Sequence, residues 1–502
     1  MEIQLILSLP LIIASIFAII IPVADAFIKN KSVIFGLTLF NFLAVLVIDL
    51  ILFANPANFS LLPLNSQASD SFNTIVKQSL NFGGYTIYFE FLFAIAGILT
   101  LFATPSFLKK NNFELKEFYS LITFSFLGMM YINHTNNLLI LFLGVELMSI
   151  PFYVLSGFFR NNINSIEASL KYFILGSFAT GFLIYGIAFL YGATGSMYLN
   201  VINQQILTGQ INHTFLYIGF SLIFVGLAFK ASTFPFHQWA PDVYTGAPTV
   251  VTAFMSTAGK AAAFIAFIVV TKSLFVPNQY INNAISDFAT NITSHSREII
   301  AIISALTMLV GNITALMQTN VKRMLAFSSV AHAGYILMGI VANNQTGWSG
   351  ITFYLTAYLF MQIGAFIIVA LIEKENSELL NLSDYNGLSK SEPLLAAAMA
   401  IFMFSLVGLP PFGGFFGKYY LFLSAIQGGY LWLTIIAVIA SLISIYFYIG
   451  LIINMYFKER EGASVTVTKN ISIISIAISV VGILFLGIFP SYVINLASEL
   501  FK

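Results

Sequence analysis

The chain of 502 residues is 59% hydrophobic and only 8% charged, with a formal net charge of +1 and no cysteine. A soluble domain carries roughly a quarter charged residues, so water is not the main solvent here, and with no basic tract a nucleic-acid partner is excluded. Without thiols this chain cannot hold an all-cysteine iron–sulfur cluster, a thiolate haem or a disulfide, so the electrons of any redox enzyme it serves run elsewhere.

A bilayer core is crossed by about 20 apolar residues. Runs of that kind predict spans over 3–24, 33–54, 86–106, 118–134, 137–159, 166–191, 214–236, 248–272, 298–318, 324–342, 349–373, 393–426, 429–457 and 470–489, fourteen in an all-α integral membrane fold. The opening Met1, Glu2, Ile3, Gln4 lacks the positive charge of a signal peptide, and its apolar stretch is too long for one, so the first run is read as a span. The longest joins, 55–85, 192–213 and 273–297, are rich in Asn, Ser, Gln and Thr and read as solvated loops.

Basic residues stay on the cytoplasmic side. The odd-numbered joins hold Lys29, Lys31, Lys109, Lys110, Lys116, Arg160, Lys322, Arg323, Lys374, Lys390, Lys458, Arg460 and Lys469, whereas the even-numbered joins and the C-terminus hold Lys77, Lys272, Arg297 and Lys502. Both termini are therefore expected on the non-cytoplasmic face. Lys171, Lys230, Lys260 and Lys418 remain inside spans.

Proline removes a backbone donor and clashes with the preceding turn. Spans seven (Lys230 to Pro241, with Pro235) and twelve (Gly408 to Lys418, with Pro410 and Pro411) should accordingly be broken, each with a lysine beside the break. Irregular backbone at membrane depth survives only against protein or water. The breaks lie five spans apart, and repeats of an odd number of helices must alternate in direction. The layout predicts three N-terminal helices over 1–117, a five-helix repeat over 118–275, an inverted five-helix repeat over 298–457 and a last helix in 458–502.

An ionised side chain at mid-helix costs about 2.5–3.5 kcal/mol on insertion scales. Glu146, in the fifth span, is the clearest candidate partner for a buried lysine, since a nearby acid raises an amine's proton affinity and an apolar medium lowers it. Lys230 at the first break, Lys260 among small residues and Lys418 at the second break either carry protons or are inert ion-paired or interface lysines. Lys171 follows Glu167 at the i, i+4 spacing and reads as a solvated ion pair or as part of a proton path. His332 titrates near neutrality or is simply bonded to a neighbouring helix. His237 and Asp242 read as caps of the break. Asp25, Asp49 and Glu90 receive no role, Asp49 being placed near an interface, and His134, His213 and His295 fall in or beside joins without metal-ligand spacing. No Walker A or Rossmann signature is present.

The stretch Phe229-Lys230 through Pro235-Phe236-His237-Gln238-Trp239, continuing Pro241-Asp242-Val243-Tyr244-Thr245-Gly246-Ala247-Pro248, resembles the antiporter-like subunits of respiratory complex I (NADH:quinone oxidoreductase) and of Mrp-type cation/proton antiporters. The resemblance covers roughly residues 85–460. Glu167-Ala168-Ser169-Leu170-Lys171-Tyr172-Phe173, a lysine at Lys418 where an M-type subunit is expected to have glutamate, and the missing lateral helix are similar to the N-type branch. That resemblance implies a proton-translocating subunit in which Glu146 modulates Lys230, Lys260 is a central relay, Lys418 serves the second half-channel, and Lys171 and His332 match family positions. It further implies a bacterial inner-membrane location and membrane neighbours of M and K type. NADH, FMN, iron–sulfur clusters and quinone would be used in or through other subunits, with no cofactor in this one. An Mrp-type antiporter, a solute transporter and a scaffold with inert lysines are the rival readings.

Overall fold

The computed structural model of the chain describes residues 2–55, 79–111, 117–208, 211–275, 287–373, 380–460 and 471–501. The principal helices are α1 (Glu2–Phe27), α2 (Lys31–Phe53), α3 (Tyr85–Lys110), α4 (Glu117–His134), α5 (Leu138–Ser156), α6 (Ile163–Thr194), α7 (His213–Lys230), α8 (Trp239–Gly246) and α9 (Thr249–Leu274). They continue with α10 (Asp287–Leu316), α11 (Val321–Ala342), α12 (Gln345–Ile372), α13 (Pro393–Val407), α14 (Gly413–Gln427), α15 (Leu431–Phe457), α16 (Ser472–Ile488) and α17 (Pro490–Leu500). Among the described residues the only β pairing is three isolated bridges between loop residues.

Each expected span coincides with a helix, except that span seven takes in α7 and the non-helical residues after it, and span twelve the pair α13–α14. Eleven helices among the described residues are long and apolar enough to cross a bilayer, twelve when α16 and α17, bent by 85°, count as one span. The expected fourteen counts apolar segments. Of these, α4 and the split pair α13–α14 are in neither number, and α16 is only in the larger one.

The Asn-rich joins have a local purpose. Asn137, Asn162, Asn212, Asn320 and Asn344 stand in extended conformation at the starts of α5, α6, α7, α11 and α12, and each side-chain oxygen accepts a backbone N–H of the first turn. A cap of this kind contributes about 1 kcal/mol. Packing then sorts the helices: α9 is buried throughout and α11 and α12 nearly so, whereas only a third of α1 and α2 is covered. The central trio carries the polar axis described below.

Both breaks occur where the prolines place them. After α7, Ala231 ends the helix, Ser232 adopts a left-handed φ of 58°, and Trp239 Nε1 donates to the freed Phe229 carbonyl at 2.9 Å. Between α13 and α14, Gly408 (φ 89°) turns the chain, and Gly414 donates its N–H to Ser405 Oγ at 3.1 Å. A Cβ on Gly414 would lie 1.9 Å from the Ser405 carbonyl oxygen, so only glycine lets this break close. A third irregularity was not expected: α9 contains a π-turn at Met255–Gly259, immediately before Lys260. Single π-turns inside α-helices frequently mark functional sites.

Several placements differ from the expected ones. Lys322, assigned to the short join between spans nine and ten, lies in the first turn of α11, which begins at Val321, and is buried; its Nζ donates to the Ala247 carbonyl at 2.7 Å and lies 3.9 Å from Glu373. Arg297 is also buried and donates to the carbonyls of Val341 (2.6 Å), Ala342 and Gly428 (both 3.2 Å). Asp49, one turn from the end of α2, is fully buried in protein, and His134, beside a join, is the buried last residue of α4. Lys77, Lys116, Lys374, Lys469 and Lys502, most of the 55–85 join and residues 276–286 lie outside the described residues.

Candidate functional site

Four of the expected residues, Lys230, Lys260, His332 and Lys418, are buried inside the helix bundle. Lys230, the last residue of α7, donates to Ser149 Oγ at 2.7 Å and Tyr153 Oη at 3.0 Å on α5, and its ammonium lies 5.2 Å from the Tyr153 ring centroid. Lys260, 1% exposed, follows the π-turn and reaches across to α11, where it donates to the Ser329 carbonyl and to Ser329 Oγ at 2.5 Å. Lys418, on α14, donates to the Val407 carbonyl and to Ser441 Oγ, each at 2.8 Å. The break thus supplies the acceptor: Val407 ends α13, so its carbonyl has no helical partner and turns to the ammonium.

His332 stands between the last two lysines. It is one turn beyond Ser329 on α11, is hydrogen-bonded to Tyr354 on α12, and lies 3.0 Å through Nε2 from Tyr448 Oη on α15. Two tyrosines bridge the remaining gaps. The Tyr358 ring lies 5.8 Å from Lys260 Nζ and 5.2 Å from the His332 ring, and the Tyr335 ring lies 5.8 Å from His332 and 4.7 Å from Lys418 Nζ. Lys260, Tyr358, His332, Tyr335 and Lys418 therefore form one contiguous polar file. Ring faces stabilise ammonium groups by about 0.5–2 kcal/mol each, and the hydroxyl and carbonyl acceptors make up further ground against the insertion cost.

Glu146, the candidate partner of Lys230, lies on the same helix as that lysine's two acceptors. Glu146 is half-buried on α5, one turn before Ser149, and accepts from Thr180 Oγ1 on α6 at 2.7 Å. The acid and the amine thus share a helix face through Ser149 while each is held by a neutral hydroxyl. Between Lys230 and Lys260 the contact is apolar: Phe152, next to Tyr153, packs on Gly259, next to Lys260, with 3.1 Å to the position of a Cβ.

Lys171 belongs to a different environment. Its side chain, 40% exposed, pairs with Glu167 at 2.6 Å and Asp242 at 2.7 Å, and Asp242 also pairs with Arg323 at 2.6 Å. Asp242 therefore joins α6, α8 and α11, and both its oxygens are taken by these pairs and not by a helix cap. Burial raises its carboxyl, but the hydrogen bonds from Lys171 and Arg323 outweigh that and hold it below the usual carboxylate range. The cluster lines an open cleft of about 600 Å³ with Trp239 and Gln238. His237 is buried against Phe234 at the break.

Composition did not reveal Tyr335, Tyr354, Tyr358 and Tyr448. A tyrosine in an apolar run reads as packing, and only the clustering of Ser328, Ser329 and His332 on one face of α11 hinted that a polar file passes there.

A helical membrane bundle with two broken helices, a buried lysine beside each break and a polar file from the core to the second break fits the antiporter-like class of membrane subunits. The family model for NADH:quinone oxidoreductase and Mrp antiporter membrane subunits matches residues 135–444. NADH-quinone oxidoreductase subunit N of Trichlorobacter lovleyi is 43% identical over 85% of each chain, and subunit N 1 of Chloroherpeton thalassium is 39% identical over 97% of this chain and 96% of its own. Among solved structures, a chain of respiratory complex I from Thermus thermophilus superposes with a TM-score of 0.78 at 29% identity, covering 98% of this chain and all of that one. The chain belongs to this family, on its subunit N branch.

Proposed function

We propose that the polar file is the proton path of a subunit N in a proton-translocating NADH:quinone oxidoreductase, with Lys230, Lys260, His332 and Lys418 as the proton-carrying groups. The observation that carries the reading is the continuous Lys260–His332–Lys418 contact set at the breaks and core of an otherwise apolar bundle. A solute transporter would instead need a roomy substrate cavity at the breaks, where this chain has lysines packed on serine and tyrosine.

A lysine held only by hydroxyls and carbonyls has no fixed counter-charge, so its charged and neutral forms lie close in free energy, and a small displacement of a neighbouring acid tips the balance. Glu146 is placed for that task. A rotamer change releasing it from Thr180 towards Ser149 would favour the charged Lys230, and its return would release the proton towards Lys260. Moving one proton against 100 mV takes about 2.3 kcal/mol, equal to a change in proton affinity of about two pH units. The energy comes from quinone reduction in other subunits. The cysteine-free sequence offers no thiolate for an iron–sulfur cluster, and NADH, flavin and quinone are placed outside this chain.

Lys171, with Glu167, Asp242 and Arg323, is assigned to the cytoplasmic rim as a proton-collecting surface. The predominance of basic residues in odd-numbered joins supports this orientation, with both termini on the non-cytoplasmic side, fourteen crossings and an inverted pair of five-helix repeats. The remaining membrane partners are the complex's M-type and K-type subunits in a bacterial inner membrane.

The test is Lys230→Met in the complex reconstituted in vesicles. Proton pumping per NADH oxidised should fall at least tenfold for the share carried by this subunit while assembly is retained; full coupled pumping would contradict the proposal. An Mrp-type antiporter, the alternative, would exchange cations across vesicles in the absence of electron transfer.

A further inference from the structure

A second set of titratable groups lies among α2, α3 and α4, on helices that carry none of the file's residues. Asp49, Glu90 and His134 are fully buried. His134 Nε2 is hydrogen-bonded to Glu90 Oε1, and its Nδ1 donates to the Asn81 carbonyl at 2.7 Å. Asp49 and Glu90 are neighbours: Phe53, one turn beyond Asp49, packs its ring 6.2 Å from that of Tyr88 and 5.8 Å from that of Phe91, on either side of Glu90. Neither oxygen of Asp49, nor Oε2 of Glu90, accepts from any N–H or O–H donor of the described protein. Asn133 Nδ2 donates to the carbonyl of Thr86, one turn before Glu90, and leaves its own Oδ1 buried without a partner.

Two neighbouring carboxylates in an apolar interior repel, and neither can donate. The pair requires a proton. With all three groups deprotonated the cluster would carry two negative charges; two bound protons bring it to neutrality, one on the Asp49–Glu90 pair and one on His134 opposite the Glu90 carboxylate. Burial disfavours every other charge state. A metal is not indicated, because no group of three His, Cys, Asp or Glu side chains with ligating geometry occurs among the described residues.

Among the described residues no other base compensates the acids. Asp25, Lys31, Lys109, Lys110 and Glu117 sit at the opposite ends of α1 to α4, about 27 Å away in the case of Lys31 and Asp49, at 1.5 Å per residue. On the helices packed against them, Glu146 holds Thr180, Lys260 holds Ser329, Glu373 lies by Thr249 and Lys322, and Lys272 lies over the Phe501 ring at 5.1 Å. Glu499 lines the outer groove beside Leu50 and Tyr88. Of the nearby tyrosines, Tyr85 stacks on Phe501 and the Tyr88 hydroxyl shares a hydrogen bond with Thr356 at 2.7 Å.

We propose that Asp49, Glu90 and His134 form a proton-binding site that holds two exchangeable protons at one end of α2, α3 and α4, separate from the lysine file. The test is pH-difference infrared spectroscopy of the purified, reconstituted complex in light and heavy water. The wild type should show a protonated-carboxyl band that shifts with deuterium, is lost in Asp49→Asn and persists in Glu146→Gln. Where Asp49→Asn fails to assemble, Asp49→Glu should restore assembly and move the band, which separates loss of the proton from loss of the fold. A carboxyl band unchanged by either Asp49 variant overturns the proposal, as does one abolished by sodium in the wild type, which would make the site a cation site.

Discussion

Lys171 and Lys260 sit at opposite poles of the same problem. On the exposed side, Lys171, 40% exposed, meets two carboxylates within 2.7 Å. At the core, Lys260 meets a serine hydroxyl, a carbonyl and a tyrosine ring, with no carboxylate within 4 Å among the described residues. The rim pair fixes a charge; the core set leaves the charge negotiable. A lysine conserves its proton where acids surround it and exchanges it where only neutral dipoles do.

The largest effect should fall at the second break. Lys418→Met removes an ammonium from the file and is expected to cut pumping per electron at least tenfold, about 1.4 kcal/mol or more, whereas Lys418→Arg, which cannot release its proton, should fail to restore it. Stopped-flow pH-dye signals in vesicles would check both. If Arg restores pumping, the core lysine is a fixed charge like the rim one, and the contrast collapses.

Removing hydroxyls or the imidazole tests how the file is joined. His332→Gln and Tyr448→Phe are expected to slow pumping several-fold with quinone reduction uncoupled to the same degree, while Tyr335→Phe, which keeps the ring over Lys418, should lose less. An equal loss in both Phe variants would shift weight from the ring to the hydroxyl. Gly408→Ala probes the frame itself. At φ 89° its Cβ would also lie 2.9 Å from Lys418 Cδ, so a loss of about 1–3 kcal/mol in thermal stability of the subunit is expected.

The smallest effect belongs to the rim. Asp242 sits below its ordinary range when folded, so it stabilises the fold at pH values above its unfolded pKa, and that contribution disappears as pH falls through the folded value. Asp242→Asn should therefore lower stability at neutral pH by less than about 1 kcal/mol, given solvent screening, and flatten the acid side of the melting-temperature profile. A profile that keeps its acid slope would assign that slope to other groups.

Much of this was legible in the chain. Apolar runs located the helices, prolines and glycines located the breaks, and lysines in apolar surroundings marked the file, because each is costly enough in a bilayer to need a reason. The rest depended on contacts between distant segments. Glu146 looked like the partner of Lys230, but spacing along one helix cannot show that Thr180 from α6 captures it first. Asp49, Glu90 and His134 are separated by about 40 residues each and meet only because α2, α3 and α4 pack together. The π-turn before Lys260 has no sequence signature beyond small residues.

The most direct test places Lys260→Met and Lys171→Met side by side in the same reconstituted complex and counts protons moved per NADH oxidised. The account predicts that the core variant loses this subunit's share of transport while the rim variant keeps it to within about twofold, or 0.4 kcal/mol. Equal losses, or a rim variant more damaged than the core one, would contradict it.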